Sequence, residues 1–425
     1  MQYAGVRSRN CLTGRRRASK IVDWRKSFVI DSKKSDLIAQ TLDRFHVELP
    51  SWGFANTGTR FGKFLQPAAA STIAEKFSDA AQVHRWTGVC PTIALHVLWD
   101  LPNGAADAAE IRRLADIHGV RPGSINPNLF QDQTYKFGSF GNPDPAVRRE
   151  ALDHVINSIE IADALASRDL SLWFADGSNY PGTQNMRQRR RWFIEGLQEA
   201  HARLSGEQRM LVEYKPFEPA FYHTDIADWG MALLLARDAG PRAKVLVDTG
   251  HHYQAQNIEQ IVAWLLDLGM LGGFHFNDRR YADDDLTTGS IDPYQVFRIF
   301  HEILHYEWET GAHADIAYMI DQSHNLKGKI EAMIQTVTTI MELFAKASIV
   351  DHKKLWRRQD ECALVDAEGC LKDAFSTDVR PLIREWARAK GLAEDPMDAF
   401  RQSGYLERIT AERAERNAAA IASYA

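Results

Sequence analysis

Residues Leu271–Leu286 read LGGFHFNDRRYADDDL. The stretch opens as a short apolar strand, sets His275 at its end, and runs into a loop carrying Asp283, Asp284 and Asp285. An imidazole at a strand end beside several carboxylates is a set of divalent-cation ligands that needs partners. Without partners it is an acidic surface loop, solvated and inert. The rest of the chain decides between the two.

Just upstream, Ile258, Ile261, Val262, Leu265 and Leu266 follow the i, i+3, i+4, i+7, i+8 spacing of an amphipathic helix, which Gly269 stops. Before that helix stands another apolar run, KVLVDTG (Lys244–Gly250). This strand–helix–strand unit recurs along the chain. The other runs are VELPSW (Val47–Trp52), TIALHVLW (Thr92–Trp99), GSINPN (Gly123–Asn128), LSLWFADG (Leu170–Gly177), MLVEYKP (Met210–Pro216) and IAYMIDQ (Ile316–Gln322). Continuous apolar runs suit strands buried on both faces, as in a parallel sheet. Helical segments are predicted from Asp144 (a cap, with Pro145 first in the helix) to Ala166, and over Asn185–Leu204, His223–Ala239 and Leu326–Lys346. Eight alternations predict a (β/α)8 TIM barrel. The alternative, a doubly wound sheet, lacks a GxGxxG or P-loop after any strand. The domain expectation is a disordered basic tail over residues 1–25, a catalytic barrel over 26–350, and a helical extension over 351–425 that makes oligomer contacts.

Composition narrows the class. The 425 residues are 45% hydrophobic and 25% charged, as in a soluble globular protein. No apolar run approaches the roughly 18 residues of a membrane span, which excludes a membrane-spanning protein. A net charge of −5 gives no reason to expect nucleic acid. Cys11, Cys90, Cys362 and Cys370 are scattered without a CxxC, which argues against a disulfide framework and for a reducing, cytoplasmic compartment. The first twenty residues are Arg-rich and acid-free, without the apolar core of a secretory signal.

In such a barrel, functional residues gather at the carboxyl ends of the strands. Those ends carry His96, Trp173 with Asp176, Glu213 with Lys215, Asp248 with His251, His275, Asp283 with Asp285, and Asp321. Each has a plain structural reading. Glu213 and Lys215 could be a buried ion pair, Asp248 a helix cap, His275 a satisfied core histidine. Asp321 could bond turn amides, and His96 could bond Asp100. Those readings would have to coincide on four successive strands. A carboxylate-rich set with a minority of imidazoles suits Mn²⁺, Mg²⁺ or Co²⁺, and the ligand count exceeds one six-coordinate ion, so two metals are expected. Trp52, Trp99, Trp173, Phe61 and Phe130 lie at or after strand ends, and such a rim suits a sugar-like polyol.

The segments PSWG with GTRF, LHVLWD, WFADGSNYPG, EYKPFEPAFY, LVDTGHH, GGFHFNDRRYADDDL and MIDQSHN resemble the L-rhamnose isomerase family, in its bacterial broad-specificity subtype, from about Asp43 to about Tyr405. The resemblance implies one divalent metal on Glu213, Asp248, His275 and Asp321, and a second on His251, Asp283 and Asp285, with Asp248 able to bridge. It implies substrate contacts from Trp52, Phe130, Trp173, His96 and Lys215, with Phe61 reaching a neighbouring subunit's site, a homotetramer, and a preference for Mn²⁺. Val97-Leu98 replaces the family's usual Ile-Pro pair, and the Arg-rich start also departs from it. The expected chemistry is aldose–ketose isomerisation by hydride shift, with Lys215, His96, Asp283 and Asp321 as the catalytic group and Asp284 left to solvent. An enediol route is the mechanistic competitor. A metallophosphodiesterase or endonuclease on a similar barrel, or a sugar-binding protein, are the other readings.

Overall fold

The computed structural model describes residues 32–56, 64–218, 221–324 and 326–421. The basic tail, Cys11 and Phe61 lie outside them. Eight parallel strands close into a barrel: β1 (Val47–Pro50), β2 (Thr92–His96), β3 (Arg121–Asn126), β4 (Asp169–Leu172), β5 (Arg209–Glu213), β6 (Ala243–Asp248), β7 (Leu271–Phe276) and β8 (Ala317–Ile320). Neighbours pair in sequence order, and β1 closes the ring on β8. The predicted TIM barrel is the observed fold.

Each strand is followed by an outer helix, from Ile73–Thr87 after β1 to Lys329–Ser348 after β8. The caps follow the sequence. Asp144 accepts from Ala146 N at 2.8 Å and Pro145 begins the helix Pro145–Leu165. Asn185 caps Met186–Arg203, and Asn257 caps Ile258–Asp267. The apolar stripes of these helices and the outward side chains of the strands form one continuous core. At its base Phe45 stacks on Phe344 with centroids 4.2 Å apart.

Two expectations need correction. The second run does not stay extended to Trp99: β2 ends at His96, and Val97–Asp100 makes one helical turn. The helix expected from His223 begins at Trp229, capped by Asp228. Tyr222–His223 instead pairs antiparallel with Phe217–Glu218, and Asp225 joins the next loop. A Pro-flanked hairpin of two-residue strands has too little period to be read from sequence.

The extension comprises His352–Asp360, Leu364–Ser376, Arg380–Ala389, Pro396–Gln402 and Tyr405–Ile421. It packs on the barrel wall. Arg413 is bidentate to the buried Asp79 at 2.8 and 3.0 Å, and Tyr405 donates to the same carboxylate at 2.8 Å. Removing the guanidinium would strand a buried charge, which costs about 3–5 kcal/mol. Gly88 ends its helix at φ 77°, a left-handed conformation that favours glycine, and a Cβ there would also make the Leu392 side chain of the extension shift. No single helix among the described residues is long and apolar enough to cross a membrane.

Candidate metal centre and sugar pocket

Side chains alternate along a strand, so residues two apart face the same side. Leu211, Leu246 and Met319 pack together inside the barrel as an apolar floor. Two residues further on stand Glu213, Asp248 and Asp321, and His275 stands two beyond Gly273. Strand register sets Asp248 opposite His275. Glu213, Asp248 and His275 are buried, and one ligand atom from each lies within 4.8 Å of the others. Asp321 Oδ2 is 3.9 Å from His275 Nδ1, while its Oδ1 accepts from Trp52 Nε1 at 2.8 Å.

The plain readings of these residues do not describe them. Asp248 caps no helix. It accepts from Gly250 N at 2.6 Å and from Asn277 Nδ2 at 3.0 and 3.2 Å. Glu213 and Lys215 do not pair with each other. Glu213 Oε1 lies 3.3 Å from His275 Nδ1 and 3.2 Å from His251 Nδ1. Lys215 Nζ binds Asp283 at 2.6 Å and Glu218 at 2.8 Å, and sits 5.0 Å over the Trp173 ring.

The loop after β7 brings the other carboxylates back. Asp283 Oδ1 lies 2.9 Å from His251 Nε2 and accepts from it when that nitrogen carries a proton. Asp283 and Asp285 take φ of 47° and 49°, a left-handed conformation that L-residues seldom adopt and Asp tolerates better than most. Asp284 does not simply face solvent. Its carboxylate accepts from Arg280 N at 2.5 Å and Tyr281 N at 2.8 Å, bracing the turn that aims its neighbours.

Crowding five carboxylates into this volume has an electrostatic consequence. Burial, with Glu213 and Asp321 adding to it and His251 opposing, pushes Asp248 up to about 7. Burial and Asp283 push Asp285 well above the usual carboxylate range. Burial opposes the charge on Lys215 as well, but Asp283 and Glu218 outweigh it and hold the ammonium protonated. Without an ion the cluster settles its charge by holding protons: against the effect of burial, Glu213 raises His275 to about 9 and Asp248 and Asp283 raise His251 well above its usual value, while Asp248 and Asp285 are raised as well. Divalent cations would displace those protons, and the oxygen-rich, imidazole-poor donor set suits them. The residues present therefore fit a divalent ion at Glu213, Asp248 and His275.

Strands β1–β4 supply the opposite wall. Trp52 sits on the 3-10 turn after β1, His96 closes β2, and Phe130 and Trp173 follow β3 and β4. Phe130 meets Trp173 edge-on with centroids 4.8 Å apart. The His96 ring stacks on Trp99 at 3.7 Å. His96 does not bond Asp100 through its ring. Its backbone N–H does, at 2.8 Å, while Lys76 and Ser51 take the same carboxylate. Both His96 ring nitrogens are buried without a partner among the described residues, as is Trp173 Nε1. Burial pushes the imidazole down to about 3, so it is neutral at ordinary pH.

Asp176, grouped with Trp173 in the sequence, belongs elsewhere. It accepts from Ser139 N, Ser139 Oγ and Gly141 N at 2.6–2.8 Å and faces Arg189, an internal brace for the loop after β3. Sequence reasoning missed Asn277, which donates to both Asp248 and the Asp321 carbonyl. Its place two residues after His275 was the signal. It also missed Glu218, on the hairpin, as partner to Lys215.

The profile of the xylose isomerase-like TIM barrel family matches residues 77–319. A probable sugar isomerase of Rhizobium meliloti is 39% identical over 394 residues, spanning 92% of this chain and 90% of the relative. A probable sugar isomerase of Mesorhizobium japonicum is 38% identical over 383 residues, spanning 89% and 88%. Among solved structures, a D-allulose 3-epimerase from a Methylomonas species superposes with a TM-score of 0.51 at 15% identity, covering 71% of this chain and 98% of that one. That likeness is one of fold.

Proposed function

The chain belongs to the xylose isomerase-like TIM-barrel family, and we propose that it is a metal-dependent aldose–ketose isomerase converting L-rhamnose to L-rhamnulose. The observation that carries the reading is the buried trio Glu213, Asp248 and His275, with Asp321 beside it and an aromatic wall facing it. The two probable sugar isomerases, alike over nearly the whole chain, support the reaction class. The resemblance to L-rhamnose isomerases supports the choice of sugar.

Glu213, Asp248, His275 and Asp321 would hold one divalent ion and His251, Asp283 and Asp285 a second, with Asp248 able to bridge. Mn²⁺ is the proposed metal, with Co²⁺ or Mg²⁺ as substitutes. Two such ions, when bound, would anchor hydroxyl oxygens of the open-chain sugar and polarise its carbonyl. Lys215, kept charged by Asp283 and Glu218, would donate to O1. Asp283, held ionised against burial by His251 and Lys215, would aim the ammonium at O1, with the O2 proton reaching O1 through water. His96, neutral and unpartnered, offers one N–H and one lone pair to the far hydroxyls and to ring opening. Trp52, Phe130 and Trp173 would cover the C–H faces and the C6 methyl of a 6-deoxy sugar and exclude water. The hydrogen would then pass directly between C2 and C1.

The phosphodiesterase alternative needs free cations for phosphate. Arg279, nearest the centre in sequence, spends its guanidinium on the carbonyls of Thr249, His252 and Tyr253. We further propose a homotetramer, which light scattering after gel filtration would test. The function is tested by kcat/KM over a panel of aldoses with Mn²⁺, the ketose identified by NMR. The highest value is expected for L-rhamnose. Ketose formation from no aldose would overturn the reading. Running the reaction in D₂O separates the routes: extensive solvent deuterium at C1 or C2 would sink the hydride shift.

A further inference from the structure

A second cluster of metal-binding side chains lies outside the barrel. His301 and His305 stand four apart, on one face of the helix Pro293–Thr310. His352 opens the first helix of the extension, His352–Asp360. One ring nitrogen from each lies within 4.8 Å of the other two. His305 Nδ1 and His352 Nδ1 are 3.3 Å apart. Zinc–nitrogen bonds of 2.0–2.1 Å in a tetrahedron set N···N separations of about 3.3 Å. His301 is 4% exposed, and its Nδ1 has no partner among the described residues. Trp308 stacks on His305 and His352 at 5.4 and 5.7 Å and meets Trp356 edge-on, forming an apolar shell of the kind that surrounds metal sites.

We propose that His301, His305 and His352 form a transition-metal site on the barrel's outer wall, selective for Zn²⁺ over Mn²⁺ or Mg²⁺, which pins the extension to the barrel. An uncharged three-imidazole set prefers the softer ion, the opposite of the carboxylate set at the mouth. Burial and mutual repulsion hold His301 at about 3 and His352 at about 4, so their lone pairs are free at neutral pH. Water completes the fourth position.

The test uses the full chain, stripped by chelator and reloaded with Co²⁺ as a spectroscopic stand-in for zinc. Wild type should bind one more equivalent per chain than His352→Gln or His305→Gln. The intense visible absorption of four-coordinate Co²⁺ should appear in wild type alone. Added Zn²⁺ should raise the wild-type Tm more than that of either variant. Two variants on different helices keep the test open should one misfold, which circular dichroism reports. Equal metal content and equal Tm shifts in a folded variant and wild type would overturn the site. Turnover does not enter this readout, so the site and the proposed isomerase stand or fall separately.

Discussion

The barrel mouth has two unlike halves. Strands β1–β4 deliver Trp52, His96, Phe130 and Trp173, a wall without a formal charge. Strands β5–β8 and their loops deliver six carboxylates, Glu218 among them, with two imidazoles and one ammonium. The halves meet at two seams: Trp52 donates to Asp321 where β1 joins β8, and Lys215 lies over Trp173 where β4 meets β5. The contrast divides the labour. The charged half can gather cations and move protons, while the aromatic half can seat carbon and shut out water.

The comparison breaks hardest on the charged side. Asp248→Ala removes the carboxylate shared by both proposed ion sites, and it is expected to lower kcat by at least about 10³-fold and to release bound metal. Enzyme assay with elemental analysis checks both. Lys215→Met should cost about 10²–10³-fold in kcat while the metal content stays near that of wild type, because it removes a charged hydrogen-bond donor to O1 and no ligand. On the aromatic side, Trp173→Ala should raise KM about tenfold, which is about 1.4 kcal/mol, with a smaller change in kcat. Steady-state kinetics with Mn²⁺ in excess would separate the two patterns.

Acid sharpens the same contrast. Protons compete with cations for Asp248, which burial holds near 7, so metal affinity should fall as the pH drops below about 7. Calorimetric titration with Mn²⁺ across pH 5–8 measures it. His96 behaves differently. Its folded pKa, lowered to about 3 by burial, lies below the unfolded value of about 6.5, so the unfolded chain binds more protons. The stability it supports is complete above about pH 6.5 and is lost as the pH falls toward 3. Wild type should therefore lose up to about 2 kcal/mol relative to His96→Gln between pH 6.5 and 5, read from denaturant unfolding with metal absent.

The barrel was legible because strands buried on both faces must be apolar throughout, and their helices carry a 3.6-residue stripe. Five of the seven proposed metal ligands were equally visible as polar residues interrupting apolar runs at their ends, or just past them; Asp283 and Asp285 needed the loop after β7 to turn back. What escaped depends on contacts distant in sequence. Nothing local marks the turn Val97–Asp100, which stacks Trp99 on His96, or the hairpin that carries Glu218 to Lys215. His301 and His305 are a visible i, i+4 pair, but His352 joins them only through the packing of the extension. Asp176 was misleading for the same reason: its partners, Ser139 and Gly141, lie in another loop.

The most direct test strips the protein with chelator, supplies L-rhamnose, and follows the sugar by NMR as Mn²⁺ is added back stepwise. The charged half of the mouth predicts no ketose without metal, then L-rhamnulose at a rate that saturates at about two equivalents per chain, one for each proposed ligand set. Ketose forming at full rate in the stripped protein, or none at any metal level, would contradict it.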